Sequence, residues 1–274
     1  MKKYRNKSCI ICKSYNMEVK EELFSKPVKE TDFLIPINEY KRVITECKTC
    51  GIFANQHDFD LDHIYDKNYN SRTYENKLSE HFDKIMSLPY KKSDNKQRVD
   101  RINKYFITNY KSKKDLNVLD IGSGLCVFLA ELKKYFNDVT CIDPSAEAVA
   151  HAKNYVGIES AFKGSFDEFI FTKSFDLITL NKVLEHVKNP LEILLKAKSL
   201  LKPQGCIYIE IPDGYNSSKN GGFINREEFY IEHNTIFNFA SIKHLVNAVK
   251  LKIQKIDSIH EPSDKYTIYA FLSF

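Results

Sequence analysis

The sequence predicts an α/β protein with helices on both faces of a parallel sheet, preceded by a small cysteine-bearing module. Three observations support this prediction. From residue 117 onward, short apolar runs alternate with segments of helical apolar spacing, the pattern of βαβ units. The first run, VLDI, stops at two glycines, Gly122 and Gly124. Before it, four of the seven cysteines form two Cys-x-x-Cys pairs.

The N-terminal cysteines have the spacing of a structural zinc module, expected over residues 1–55. The paired cysteines are Cys9, Cys12, Cys47 and Cys50. Two such turns complete the four-sulfur shell that Zn²⁺ prefers, which leaves no open position for catalysis. The short strands expected at 18–24 and 41–45 make too little core, so the metal would supply much of the folding free energy. The alternative is two unrelated redox-active or buried cysteine pairs.

A polar connector is expected over residues 56–114, with helices at 79–88 and 95–110 separated by Pro89. Between residues 84 and 115 there are ten Lys or Arg against three Asp, although the whole chain has a net charge of only +5. Such a segment could meet an anionic substrate or nucleic acid. The alternative is a solvated helix surface, which is the commoner role of lysine-rich helices.

The α/β part is expected over residues 115–274. Its strands are the runs VLDI, VTCID, DLITL and CIYIEI, with helical segments between them. A loop rich in Gly, Asn and Ser is expected at 212–222. It is followed by a helix at 240–251 and by two strands, 252–259 and 266–274, that would finish the sheet.

The glycines after the first strand indicate a ligand that approaches the backbone closely. Gly122 and Gly124 allow a sharp turn where a helix begins. Asp143 ends the second strand 23 residues after Asp120, where a carboxylate can bind the ribose hydroxyls of an adenosine. Val127 stands where a dinucleotide-binding loop has its third glycine, and no phosphate-binding lysine follows. The pattern therefore favours an adenosine ligand without phosphates.

Residues 118–213 resemble class I S-adenosylmethionine-dependent methyltransferases, through LDIGSG, CIDPS, FDLITLNKVLEHV and LLKPQGCIYIEIP in that order. The resemblance implies a Rossmann-like sheet of strand order 3-2-1-4-5-7-6 with strand 7 antiparallel. Many members have glycine where Cys126 stands. The cofactor contacts that it implies are Asp120, Gly122, Ser123, Gly124, Asp143, Pro144, Ser165, Phe166 and Asn181. Among these, Asp143 would hold the ribose, Ser165 and Phe166 the adenine, and Asn181 the methionine end.

The whole chain is similar to a narrower group, sugar C-methyltransferases with a four-cysteine zinc module and a Tyr-x-Glu-His segment. Here that segment is Tyr230-Ile231-Glu232-His233. The resemblance implies His233 as the general base, while Glu232 is a candidate for binding sugar hydroxyls and Tyr230 for donating to an oxyanion. His186 would lie near the acceptor or pack at a helix start. In an extended segment, Glu232 and His233 would point to opposite sides, so the glutamate is not expected to orient the histidine.

These observations predict methyl transfer from S-adenosylmethionine to a small hydroxylated acceptor such as a sugar, a nucleotide-sugar or a surface-glycan precursor. The acceptor atom, carbon or oxygen, and the oligomeric state stay open. One alternative is an RNA methyltransferase, although neither cysteine pair carries the arginines that would follow phosphates. The other is a catalytically inactive cofactor-binding partner subunit, which would have no need for His233.

No stretch approaches 18 uncharged apolar residues, and no apolar segment follows the basic start MKKYRNKSCI. We therefore expect neither a membrane span nor a secretory signal. The expected location is the cytoplasm, where thiols stay reduced.

Overall fold

The computed structural model describes residues 7–36, 38–59, 77–109 and 115–274. The strands are β1 (Met17–Leu23), β2 (Arg42–Cys47), β3 (Phe53–Gln56), β4 (Asn117–Ile121), β5 (Asp138–Asp143), β6 (Ser160–Lys163), β7 (Phe175–Asn181), β8 (Leu201–Pro212), β9 (Thr235–Ile236), β10 (Lys252–His260) and β11 (Tyr266–Ser273). The α-helices are α1 (Leu78–Ser87), α2 (Asp94–Asn109), α3 (Val127–Leu132), α4 (Ala146–His151), α5 (Pro190–Ser199), α6 (Gly214–Lys219) and α7 (Phe239–Ala248).

The larger sheet has seven strands in the order β10-β11-β8-β7-β4-β5-β6. Strands β4 to β8 pair in parallel, and β11 runs antiparallel to both of its neighbours. Numbered from β4 as strand 1, this is the order 3-2-1-4-5-7-6 with strand 7 antiparallel. The Rossmann-like methyltransferase fold expected from the resemblance is confirmed.

Both faces of the inner strands β4, β5, β7, β8 and β11 are largely buried, in agreement with their apolar runs. Side chains alternate along each strand, so Val118 belongs to the core on one face and Leu119 to the core on the other. Leu177 and Ile178 divide between the two cores in the same way. The sheet therefore separates two layers of helices and forms the rigid base on which its end loops lie.

The smaller sheet has four strands in the order β1-β2-β3-β9. Three strands come from the N-terminal segment, but β9 lies between the Tyr230–His233 segment and α7. Its two residues pair with Phe53 and Ala54 of β3. Cys9, Ile11, Cys47, Cys50 and Ile52 also belong to one of the two cores of the large sheet. The expected 1–55 module thus shares both a sheet and a core with the rest of the chain.

Two local expectations are wrong. The segment 212–222 contains helix α6 rather than a loop, because the Asp213 carboxylate caps it by accepting from the backbone N–H groups of Tyr215 at 3.0 Å and Asn216 at 3.1 Å. Residues 230–233 form a turn rather than an extended segment, since the His233 N–H donates to the Tyr230 carbonyl at 3.0 Å.

Most of the connector's polar part, residues 60–76, and the lysines at 111, 113 and 114 lie outside the described residues. The expected boundaries 1–55, 56–114 and 115–274 stay predictions, as does the cytoplasmic location. Within the described ranges, no helix has both the length and the apolar character needed to cross a bilayer.

Candidate cofactor cleft and acceptor site

The loop after β4 has the backbone geometry of a close ligand approach. Gly122 has φ of +71°, and a Cβ there would lie 2.9 Å from the Val183 Cγ2. Gly124 has φ of +48°, and no atom of the described chain lies within 4 Å of where its Cβ would be. Cys126, which begins α3, is also left-handed with φ of +60°, so it occupies a conformation that favours glycine. The loop therefore leaves open space beside Gly124.

Asp143 ties this loop to the next one. Its carboxylate is buried at the end of β5. One oxygen accepts from the Gly124 N–H at 2.8 Å and the other from the Ser145 N–H at 2.9 Å. Burial raises the pKa of Asp143 against these two hydrogen bonds, which lower it. Neighbouring Pro144 is exposed. Asp143 thus joins the loop after β4 to the loop after β5, at the position where a ribose is expected.

Two buried polar atoms near the ends of β4 and β7 lack partners in the described part of the chain. Asp120, at the end of β4, accepts from the Thr179 hydroxyl at 2.6 Å and the Asn181 amide at 3.1 Å, and burial raises its pKa to about 7. The Asn181 Oδ1 and the Ser123 Oγ are buried and have no hydrogen-bond partner within the described part of the chain. Buried polar atoms are normally satisfied. These two fit a polar ligand, and the S-adenosylmethionine implied by the fold would supply such atoms.

The residues expected at the adenine differ in exposure. Ser165 is exposed and donates its hydroxyl to the Asp167 carboxylate. The Phe166 side chain is buried in the core, and the Lys196 Nζ lies 5.4 Å from the centre of its ring. An adenine could stack on that face of the ring only by displacing the ammonium.

Two of the expected catalytic residues, His186 and His233, lie side by side. The ring centroids of His186 and His233 are 4.7 Å apart, edge to face. The His233 Nδ1 lies 2.9 Å from the Glu228 carbonyl, and the His186 Nδ1 lies 3.0 Å from the Glu232 carbonyl. A carbonyl can only accept, so each neutral ring carries its proton on Nδ1 and its lone pair on Nε2.

Both imidazoles are neutral at pH 7. Burial lowers the pKa of His186 to about 4, and burial with the neighbouring His186 lowers the pKa of His233 well below its usual range. Each ring is therefore a base held in one tautomer. The two expected catalytic histidines are neighbours, and their catalytic roles stay predictions.

The other two expected catalytic residues lie on the same turn. The Glu232 Oε2 is buried and has no partner among the residues the structure describes, and burial raises the pKa of this carboxyl to about 7. Tyr230 is buried, which raises its pKa. Glu232 contacts His186 through its backbone carbonyl, and no contact of its side chain with His233 is seen in the described structure.

Glu185 is a site residue that the sequence reasoning missed. Its carboxyl is fully buried, both oxygens lack a hydrogen-bond partner in the described ranges, and burial raises its pKa to about 7. In the sequence, Glu185 could have been recognised by its position beside His186, in the segment that follows strand β7. Glu185, His186 and His233 place ligand atoms within 4.8 Å of one another, as a metal site would. However, the nearby Lys182 ammonium lowers the pKa of all three groups and so opposes a second cation there.

The four N-terminal cysteines form a second cluster. Their sulfur atoms all lie within 4.8 Å of one another, with Cys9 to Cys50 and Cys12 to Cys47 both at 3.5 Å. The Cys12 N–H also points at the Cys9 sulfur at 3.5 Å. Four thiolates around one point fit the tetrahedral shell of Zn²⁺. All four ligand positions would be sulfur, so such an ion would be structural.

The basic stretch is partly used inside the protein. Arg98 and Arg101 of α2 contact the buried Glu210 carboxylate, with the Arg98 Nε at 2.7 Å and an Arg101 nitrogen at 3.0 Å. Arg101 also contacts the Tyr208 hydroxyl. These arginines therefore attach α2 to the sheet and are not part of a surface for phosphates.

Comparisons with known proteins agree with this geometry. A family model described as a methyltransferase domain matches residues 90–256. A ubiquinone biosynthesis O-methyltransferase of Actinobacillus pleuropneumoniae is 31% identical over 101 residues, covering 33% of this chain and 43% of the relative. One from Nitrosococcus oceani is 34% identical over 110 residues, covering 38% and 46%. The match thus spans less than half the length of these curated relatives.

Solved structures show the same fold. An S-adenosylmethionine-dependent methyltransferase from Clostridium acetobutylicum has a TM-score of 0.55 at 18% identity, covering 73% of this chain and 98% of its own. The magnesium protoporphyrin IX methyltransferase from Synechocystis has a TM-score of 0.55 at 14% identity, covering 76% and 100%.

Proposed function

The chain belongs to the methyltransferase domain family, and from this premise we propose that it transfers a methyl group from S-adenosylmethionine to a small hydroxylated acceptor. The observation that carries the proposal is the pair of buried imidazoles, His186 and His233, each held in one tautomer, in a fold whose glycine loop leaves open space and whose Ser123 and Asn181 have unsatisfied polar atoms. One part of the cleft fits a cofactor, and the other fits the removal of a proton.

Asp143, Gly124, Ser123 and Asn181 would hold the cofactor. When bound, S-adenosylmethionine supplies a methyl group already activated as a sulfonium. Asp143 offers its remaining lone pairs to the ribose hydroxyls, while Ser123 and Asn181 offer the buried atoms described above. Asp120 supplies negative charge below the glycine loop whenever its carboxyl is ionised. The protein's task is then to align the acceptor and exclude water.

His233 would take up the proton that the acceptor loses. A sugar hydroxyl, or a carbon beside a ketone, is too weak an acid to react unaided at neutral pH. The lone pair of the neutral His233 is on Nε2, because Nδ1 donates to the Glu228 carbonyl. The proton then passes to solvent after the methylated product leaves, which restores the base. His186, held in the same tautomer, would accept a hydrogen bond from the acceptor.

The acceptor we propose is a sugar, a nucleotide-sugar or a related glycan precursor. Glu185 places buried carboxyl oxygens without partners in the described structure near the two imidazoles, and Glu232, on the turn that carries His233, has another such oxygen. Since the pKa of each carboxyl is near 7, each can donate or accept a hydrogen bond. Several such groups suit a polyhydroxylated molecule. The resemblance of the Tyr230–His233 segment to sugar C-methyltransferases supports the same choice.

A second candidate is O-methylation of a phenolic hydroxyl. It is favoured by the relatives named ubiquinone biosynthesis O-methyltransferases. The same base would serve, because a phenol also has to lose a proton. The RNA alternative has less support, since Arg98 and Arg101 of the basic stretch are occupied by Glu210. An inactive partner subunit would have no use for two oriented imidazoles.

We also propose that Cys9, Cys12, Cys47 and Cys50 hold a structural Zn²⁺. The sulfur distances support this proposal. The ion would join the two cysteine turns and brace the start of β3.

The test is a mass-spectrometric screen for methyl transfer from isotopically labelled S-adenosylmethionine. The acceptors are nucleotide-activated keto-sugars, other activated sugars and catechols, each given to the wild-type protein and to His233→Ala. A gain of one labelled methyl on a sugar, strongly reduced in His233→Ala, is the expected result. Methylation of catechols alone would select the second candidate. Turnover that is equal in both proteins would refute the role of His233.

A further inference from the structure

One amide of the N-terminal segment holds both ends of the turn that carries His233. The Asn55 Nδ2, on β3, shares its two hydrogens among the carbonyls of Phe229 at 3.2 Å, Tyr230 at 2.9 Å and His233 at 2.8 Å, so at least one of these hydrogen bonds is bifurcated. The Asn55 backbone N–H donates to the Asn234 carbonyl at 3.2 Å. The side chain is 8% exposed. Each of these contacts joins a donor nitrogen of Asn55 directly to a carbonyl oxygen.

The orientation of this amide is set from its other side. The Asn55 Oδ1 accepts from the Arg42 guanidinium at 3.1 Å, so the NH₂ group must face the three carbonyls. Arg42 also donates to the Phe229 carbonyl and lies 3.0 Å from the Glu30 carboxylate. Glu30 in turn accepts from the Ile231 N–H at 2.8 Å. Arg42 and Glu30 are both buried, so the turn is held by a buried polar network in which the Arg42 Nε has no hydrogen-bond partner among the described residues.

This network connects the cysteine cluster with the proposed base. Asn55 lies five residues after Cys50, on the strand that pairs with β9 directly after the turn. The Gly51 carbonyl accepts from the Asn238 amide at 2.7 Å, and Asn238 caps helix α7. Residues within five positions of Cys50 therefore bind the chain on both sides of β9.

We propose that Asn55 is a positioning residue for His233, and that the N-terminal segment serves to orient the acceptor site. The proposal rests on the proposed role of His233 as the base. The ring of His233 is held at two points: its Nδ1 on the Glu228 carbonyl, and its backbone carbonyl on the Asn55 amide. Without the second point the turn can move, and small displacements of a reacting group cost up to about a hundredfold in rate.

The test replaces the donor without changing the size of the side chain. Asn55→Asp keeps an oxygen for Arg42 but places a second oxygen against three carbonyl oxygens. Asn55→Ser is a milder, neutral variant that retains one donor. Gln56→Glu is the matched control. It makes the same chemical change in the next residue of β3, whose amide donates to the Thr45 hydroxyl and not to the turn.

The expected result is a fall in kcat of about tenfold or more in Asn55→Asp at saturating acceptor, with a smaller fall in Asn55→Ser. Affinity for S-adenosylmethionine should change by less than about twofold, because Asn55 does not contact the glycine loop. The acid limb of the kcat profile should move to higher pH, because a released imidazole is better hydrated and its pKa returns toward the ordinary range. A purely structural residue would lower the folded fraction but leave this limb unchanged.

Two outcomes separate the inference from its premise. If His233→Ala abolishes turnover while both Asn55 variants keep the kcat and the pH profile of Gln56→Glu, the positioning role is refuted and the base remains. If His233→Ala keeps full turnover, the base itself is refuted, and the inference falls with it.

Discussion

Replacing Asp143 by alanine should destabilise the folded protein as well as weaken its binding of the cofactor. In the free protein the two carboxylate oxygens already accept from the N–H groups of Gly124 and Ser145. Removing the carboxylate leaves two backbone donors without partners, and each such donor costs about 1–3 kcal/mol when buried. Because the Gly124 contact is only partly buried, we expect a loss of about 2–5 kcal/mol in the free energy of unfolding.

Asp143→Asn should have a smaller effect, because its amide oxygen can still accept from one of the two N–H groups. The control is Asp138→Ala at the other end of β5. Asp138 is an exposed carboxylate whose partner is Lys173 at 3.0 Å, and exposed ion pairs contribute at most about 1 kcal/mol. Urea unfolding measures the stability of each variant, and calorimetric titration measures its affinity for S-adenosylmethionine.

The order of effects tests the reasoning. Stability should fall in the order Asp138→Ala, Asp143→Asn, Asp143→Ala, from least to most destabilised, and only the Asp143 variants should lose cofactor affinity. If Asp143→Ala unfolds like Asp138→Ala, the two hydrogen bonds do not hold the loops together. If its cofactor affinity is unchanged, Asp143 does not bind the ribose.

Three further predictions follow from the site. His233→Ala should lower kcat by about 10² or more while changing cofactor affinity by less than about twofold, and an equal loss of affinity would place His233 at the cofactor instead. Burial raises the pKa of Asp120 to about 7, so its charge is lost as the pH falls; S-adenosylmethionine should bind about tenfold more weakly at pH 6 than at pH 8. The pH dependence should vanish in Asp120→Asn, and its persistence there would refute the assignment to Asp120. Metal analysis should find one zinc per chain, lost in Cys47→Ser but kept in Cys206→Ala, a buried thiol outside the cluster; an absence of zinc in the wild-type protein would refute the metal site.

Most of the large sheet could be predicted because six of its seven strands have a local signature, whereas the short β6, SAFK, was not among the expected runs. Continuous apolar runs bounded by glycine or proline are typical of strands buried on both faces. The strands expected at 252–259 and 266–274 match β10 and β11 to within one residue. The helix expected at 79–88 is likewise displaced by one residue from α1. Strand order came from the family resemblance, since periodicity does not determine which strands are neighbours.

The N-terminal sheet could be predicted only in part. β1 and β2 were expected from their own residues, but β9 has two residues and therefore no periodicity to detect. α6 was missed because its composition of Gly, Asn and Ser disfavours a helix, and the Asp213 cap offsets that preference.

The site was predicted at the level of residue types but not of contacts. Asp143 was assigned to the ribose, yet nothing in the sequence shows that both of its oxygens accept from backbone N–H groups. The contacts of Asn55 join residues more than 170 positions apart and end on backbone carbonyls, which every residue type has. Glu185 was overlooked for a similar reason, because its chemistry depends on burial that the glutamate itself does not reveal.

The most direct measurement of the central claim is a crystal structure of the protein soaked with S-adenosylhomocysteine. The claim predicts a ligand beside Gly124, with its ribose hydroxyls on Asp143 and polar atoms on the Asn181 Oδ1 and the Ser123 Oγ. A cleft that stays empty at saturating ligand, or one that instead takes up a nicotinamide dinucleotide, would contradict it.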